Sequence, residues 1–194
     1  MGAYASPFLG QKPKVFNKVG ESGRKWEKLV YISSTEIKGM AGFIGEFHCT
    51  IDDKGRFLLP SGLKKQLPAK EQKRFVVHRG FEKHLVLYTR KEWERISAEV
   101  NSLNLYVRKN LEFVRKFNRG ASDMELDTSN RLLVPKTLTD YAGIAKDIVL
   151  FAFGNRIEIW SEEEYKKMMK DDADGFAKLA EDVMGGTKKD DDNE

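Results

Sequence analysis

Two short stretches carry the residue types best suited to chemistry. Residues 50–60 read Thr-Ile-Asp-Asp-Lys-Gly-Arg-Phe-Leu-Leu-Pro, and residues 125–135 read Glu-Leu-Asp-Thr-Ser-Asn-Arg-Leu-Leu-Val-Pro. In each, an aspartate stands four positions before an arginine: Asp52 and Arg56, then Asp127 and Arg131. A guanidinium is a rigid fork of donors that pairs bidentately with guanine O6/N7 or grips a phosphate. Lys54 adds a less directional cation, better suited to phosphate. Gly55 and Asn130 tolerate the positive φ that a tight hairpin needs. Asp52 and Asp127 would be repelled by DNA, so their expected part is to hold the arginines. A two-stranded ribbon with such a tip can enter the major groove. The plainer reading is an ion pair bridging a turn, which stabilises by only about 0–1 kcal/mol when exposed. Recurrence of the pair favours the first reading, most strongly for Lys54 and Arg56, because the second loop lacks Lys-Gly.

Other chemistries find little footing. His48 and Cys49 are adjacent, so in a strand they point to opposite faces and form no catalytic dyad. Cys49 is the single cysteine, is expected to be a small buried residue, and excludes a disulfide within the chain. Asp52 and Asp53 have no second acidic cluster near them, and His48, His78 and His84 lack metal-ligand spacing. His78 and His84 flank a turn and are expected at the surface, whereas Trp93, Trp160 and Phe151 are expected in the core. Walker, nucleophile-elbow and dinucleotide signatures are missing from the sequence. The chain is therefore not expected to be an enzyme, nor to use a metal, a cofactor or a small-molecule substrate.

The elements that must position the arginines come as an internal repeat. Asp52, Arg56, Leu58, Pro60 and Leu63 recur 75 positions on as Asp127, Arg131, Leu133, Pro135 and Leu138. Further on, Phe75–Gly80 matches Val149–Gly154, and Leu85–Tyr88 matches Ile157–Trp160. Each copy predicts strand, tight loop, strand, short helix, strand, turn, strand. Pro60 and Pro135 open helices over 61–67 and 136–141, and Gly80 and Gly154 mark second hairpin turns. Thr89 and Ser161, with Glu92 and Glu164 three residues on, predict a capping box in both copies. Helices are expected over 90–119, 162–169 and 175–184.

The net charge of +4 hides an asymmetry. Residues 40–120 hold 17 basic and 9 acidic residues, while 121–194 hold 10 basic and 18 acidic. That polarity suits a polyanion at one place and head-to-tail contacts at another. The basic set between Arg108 and Arg119 reads as a subunit contact or a further phosphate surface. No apolar run approaches the roughly 20 residues of a membrane span, and no membrane contact is expected. With no secretory leader evident, a cytoplasmic setting is expected. Residues 1–39 are expected to be a disordered extension, with a basic arm tracking phosphates as the alternative. The acidic tail from Gly185 is expected to be mobile.

Two modules of this kind, with Phe-Asn-Arg-Gly-Ala-Ser at 117–122 leading into the second, resemble the MraZ family over about residues 40–184. The resemblance implies an α+β fold of two tandem β-rich AbrB/SpoVT-like swapped-hairpin modules, over 46–93 and 122–165, forming one pseudo-twofold barrel. Residues 94–121 would be a helical connector, and 166–194 a C-terminal helix and acidic tail. It further implies a transcriptional regulator that binds double-stranded DNA at short promoter repeats, upstream of the division and cell-wall gene cluster that includes its own gene. The expected assembly is a ring-shaped homo-oligomer, associated with the nucleoid, whose Asp-x-x-x-Arg loops face DNA. The alternative is an antitoxin-like or scaffold module that uses the same fold to hold another protein.

Overall fold

The computed structural model describes residues 42–170 and 173–185. The expectations for residues 1–39, and for nearly all of the acidic tail, lie outside them. The first repeat comprises β1 (Phe43–Thr50), β2 (Arg56–Leu58), α1 (Ser61–Lys64), β3 (Arg74–Arg79), β4 (His84–Thr89) and α2 (Arg90–Asn101). A 3-10 turn at Ala69–Glu71 precedes β3. After α3 (Arg108–Asn118), the second repeat follows with β5 (Ser122–Glu125), β6 (Arg131–Leu133), α4 (Lys136–Tyr141), β7 (Asp147–Gly154), β8 (Arg156–Ser161) and α5 (Glu162–Met168). The last described helix is α6 (Ala173–Met184).

All strand pairs are antiparallel, and the two repeats exchange strands. One sheet runs β1-β7-β8-β4-β3-β5, and β2 pairs with β6 as a separate ribbon. Swapping the repeat labels reverses this order onto itself, so a pseudo-twofold axis passes between β8 and β4. The expected barrel is not closed among the described residues: β1 and β5 are the two edges of an open sheet. Nor does each loop sit in its own hairpin. Beyond a single bridge from Ile51 to Phe57, β1 and β2 do not pair; β2 finds its partner in the other repeat.

The main core lies between one sheet face and the ribbon. Phe57 and Leu132 turn inward from the ribbon, and Leu63 and Leu138 from α1 and α4. They meet Phe75, Val77, Leu85, Leu87, Leu150, Ile157 and Ile159. The opposite sheet face is covered as well. Val76, Val86 and Tyr88 pack against Trp93 of α2, and Val149 and Trp160 pack against Tyr165 of α5. Covering both faces is why β4 is buried at every position and reads as a continuous apolar run rather than an alternating one.

That second layer overturns the surface placement of the two histidines. His78 and His84 are only 5% and 6% exposed. His78 lies among Tyr88, Trp93 and Phe117, and His84 stacks on Trp160 with ring centroids 4.2 Å apart. Burial, with smaller contributions from nearby charge, pushes both imidazoles down to about 4. Cys49 is half-buried rather than enclosed, and Phe151 is likewise only partly covered, beside Tyr165. Trp93 and Trp160 are core residues.

The strand register also revises the repeat. Phe75 pairs with Thr89, and Ile148 pairs with Ser161. Lys73 O accepts from Leu126 N just as Lys146 O accepts from Ile51 N. Phe75 therefore corresponds to Ile148, not to Val149 as the sequence match has it. In a strand such a one-residue slip exchanges the inward and outward faces. The β3–β4 connection is correspondingly one residue longer than that of β7–β8. Thr89 and Ser161 do cap α2 and α5, accepting from Glu92 N and Glu164 N. The reciprocal half of the box is not made by Glu92. Its carboxylate accepts instead from Arg95 and Asn155.

Candidate nucleic-acid interface

The two Asp-x-x-x-Arg segments are near-copies in three dimensions. In the first, Gly55 N donates to Asp52 O at 2.8 Å, closing the turn. Asp52 Oδ1 accepts from Lys54 N and Arg56 N at 3.0 and 2.9 Å, and Oδ2 accepts from Arg56 Nε at 2.8 Å. In the second, Asn130 N donates to Asp127 O at 2.9 Å. Asp127 Oδ1 accepts from Ser129 N and Arg131 N, both at 2.8 Å, and Oδ2 accepts from Arg131 Nε at 2.9 Å. Arg56 Nη2 and Arg131 Nη2 approach the same Oδ2 atoms at 2.7 and 2.9 Å. Each aspartate thus organises its turn with one oxygen and clamps the Nε–Nη2 edge of the guanidinium with the other.

The electrostatics follow from this geometry. Hydrogen bonding from the Arg56 side chain, then from its backbone N–H, holds the Asp52 carboxyl at about 2. The Arg131 backbone N–H, with its side chain, lowers Asp127. Both carboxylates therefore stay charged, and each arginine keeps its orientation. Clamping leaves the Nη1–Nη2 edge, the fork that fits guanine or phosphate. No described residue bonds Nη1 of either arginine.

The turns meet through their backbones. Val134 N donates to Gly55 O and Leu59 N donates to Asn130 O, at 2.8 and 2.9 Å. Gly55 has φ +82°, and a Cβ there would lie 2.8 Å from Val134 O. Asn130, at φ 59°, is the only described non-glycine residue with positive φ. Its Oδ1 accepts from Lys64 Nζ of α1, so the first repeat steadies the second repeat's turn.

Pairing β2 with β6 sets Arg56 opposite Leu133 and Leu58 opposite Arg131. Phe57 and Leu132 point inward, at 1% and 0% exposure. Arg56, Leu58, Arg131 and Leu133 therefore share the outward face. The two arginines are diagonal neighbours, a relation that spans about 7–8 Å in such ribbons. Lys54 is exposed at the tip of the first turn. Every expected site residue thus falls on one small surface, but as a single shared ribbon rather than two separate tips. The exposed Leu58 and Leu133 (58% and 55%) were missed from the sequence. A three-residue strand is too short for alternation to reveal its outward face.

The basic set at 108–119 sits elsewhere, on α3 and its C-cap residue Arg119. Phe117 anchors that helix by stacking on Trp93 with centroids 5.3 Å apart, and Arg108, Lys109, Arg115, Lys116 and Arg119 face outward. Among the described residues no cluster of His, Cys, Asp or Glu could hold a metal, and no helix is long and apolar enough to cross a membrane.

A family model described as "MraZ protein, putative antitoxin-like" matches residues 43–115 and 117–185, one match per repeat. The transcriptional regulator MraZ of Christiangramia forsetii is 44% identical over 147 residues, covering 75% of this chain and 95% of that protein. Its counterpart from Flavobacterium psychrophilum is 43% identical over 152 residues, or 78% and 97%. That from Cytophaga hutchinsonii is 43% identical over 150 residues, or 77% and 99%. A solution structure from Pyrococcus horikoshii covers 58% of this chain and 95% of its own, at 16% identity and a TM-score of 0.25, too low to bear on the fold. The doubled family match, together with relatives aligned over nearly their whole length, places this chain in the MraZ family.

Proposed function

We propose that this chain is a non-enzymatic transcriptional regulator that reads double-stranded DNA with the outward face of the β2–β6 ribbon. Arg56, Lys54 and Arg131 make the contacts; Asp52, Asp127 and Gly55 hold them in place. The observation that carries this is the pair of guanidinium groups on one ribbon face, each clamped on one edge and open on the other. A clamped fork loses little freedom on binding, which favours a directional contact to a base edge. Leu58 and Leu133 between them supply apolar surface suited to a thymine methyl group.

The names of the relatives support the regulatory reading, and the exchange of strands supports AbrB/SpoVT-like swapped-hairpin modules over 46–93 and 122–165. In this reading residues 94–121 connect the modules and 166–194 form the C-terminal extension. The protein acts in the cytoplasm, at the nucleoid, on short repeats upstream of the division and cell-wall cluster that includes its own gene. One ribbon per chain offers few contacts. Assembly as a ring-shaped homo-oligomer multiplies them through effective concentration.

A gel shift with the DNA just upstream of the gene tests this. Arg56→Ala abolishes specific binding while folding and assembly persist. Near-native affinity in that variant removes the site assignment. The second reading, an antitoxin-like module, draws on the exposed Leu58 and Leu133 and on the family description. It requires a heterologous protein partner and negligible affinity for the promoter fragment.

A further inference from the structure

We propose that an open cleft beside the second Asp-x-x-x-Arg turn binds the DNA phosphodiester backbone through Lys70, Lys73 and Arg74. The proposal rests on the DNA-binding reading above and assigns a separate part of the contact. The ribbon reads the groove, and the cleft holds one of the phosphate rails that border it.

The cleft has a volume of about 660 Å³ and is bounded by α1, the 3-10 turn, the start of β3, the first turn of α2 and residues 126–130. Six cations line it: Lys64, Lys70, Lys73, Arg74, Arg90 and Lys91. Three are already engaged. Lys64 bonds Asn130, Arg90 pairs with Glu94 and Asp123, and Lys91 pairs with Glu71. The carboxylates lining the cleft are engaged too. Glu71 accepts from Thr89 Oγ1 and pairs with Lys91, Glu94 pairs with Arg90, and Asp127 pairs with Arg131. Lys70, Lys73 and Arg74 remain, all exposed, with no side-chain hydrogen bond or ion pair to a described residue. Glu125 is the Cα partner of Arg74 across β3 and β5, and no ion pair joins them. The cleft therefore carries a surplus of about three positive charges facing water.

Its position selects the ligand. Thr128 and Asn130 of the second turn form one wall, so the surplus charge begins where the reading face ends. The major groove is about 12 Å wide. A ribbon lying in it therefore has a phosphate rail roughly half that distance to either side. A second cleft, of about 520 Å³, lies between the end of β1, β2 and the starts of β7 and α5 and shares two pseudo-equivalent positions with the first. There Asp147 stands in place of Arg74 and Glu162 in place of Arg90, which repels phosphate, while Lys146 keeps the charge of Lys73. The backbone contact is thus stronger on one side although the turns are two-fold related, and the first repeat's 3-10 turn and the start of β3 supply it.

The test titrates the full chain against duplex from upstream of its gene and against an unrelated duplex, across a range of salt. The triple variant Lys70→Gln, Lys73→Gln, Arg74→Gln should weaken both duplexes by the same factor, about tenfold or more. The slope of log K against log salt should shrink by about 2–3 per bound protomer, as loss of three phosphate contacts requires. Arg56→Ala, by contrast, should remove the preference for the upstream duplex. An unchanged slope in the triple variant overturns the cleft assignment. So does weaker binding accompanied by loss of self-association in size-exclusion chromatography, which would make the cleft a contact between copies. If Arg56→Ala is sensitive while the triple variant is not, only the cleft falls. If the native chain binds neither duplex, both readings fall.

Discussion

The two halves of the molecule share a skeleton and differ in what surrounds it. Asp52–Arg56 and Asp127–Arg131 make the same set of hydrogen bonds within a few tenths of an ångström. Yet the first turn depends on Gly55 and the second on Asn130, and the cleft beside the second turn is basic whereas the one between β1, β7 and α5 is acidic. A duplicated module keeps what the backbone and core require of both copies, while its surface is free to diverge. Residues identical in both repeats therefore mark the shared machinery. Charge reversals between them mark where one copy has taken a separate task.

The largest expected effect tests whether the cores are equivalent. Leu63 and Leu138 are both fully buried, so Leu63→Ala and Leu138→Ala should each cost about 2–5 kcal/mol in denaturant unfolding. A neutral result at either would break the symmetry of the core. Next, Gly55→Ala should destabilise by about 2 kcal/mol, since it combines positive φ with a close backbone carbonyl. Asn130→Gly should stay within about 1 kcal/mol, because glycine accepts φ 59° without strain. Thermal unfolding of the two variants separates the turns.

Acidification probes the buried histidines. Each folded-state imidazole titrates near 4, below the unfolded value of about 6.5. The unfolded chain therefore binds protons first, and stability falls as pH drops through 6.5 toward 4. Between pH 7 and 5 the loss should be about 2 kcal/mol for each histidine, and His78→Phe should remove about half of the combined loss. Glu158, raised by burial, works in the opposite sense and trims the effect.

Arg131→Ala should weaken promoter binding by about 1–3 kcal/mol, and by less than Arg56→Ala, because no lysine accompanies it at the tip. Equal losses would show that the ribbon reads symmetrically. Asp147→Lys should give the smallest change, steepening the salt slope by about 1, because it exchanges a repelling carboxylate for a cation beside Lys146.

Much of the site is legible in the sequence itself. The Asp and Arg spacing, the left-handed residues at Gly55 and Asn130, and the caps at Thr89 and Ser161 are local matters. Hydrogen bonds over two to four residues decide them. The cleft was not legible, because Lys73 and Arg74 meet the 126–130 turn only when β3 pairs with β5. The buried histidines escaped notice for a similar reason. Their burial comes from α2, α3 and β8, which cover them from distant parts of the chain.

Sequence alone determined the duplication, the family, the positions of most elements and the residue types at both turns. These follow from short-range pattern and from near-identity of the copies. Tertiary structure decided which strands pair, that β2 joins β6 rather than β1, and that Phe75 matches Ile148. It therefore also decided that both arginines lie on one face. Pairing choices of this kind depend on burying Phe57 and Leu132 against a common core, a condition that no single segment contains.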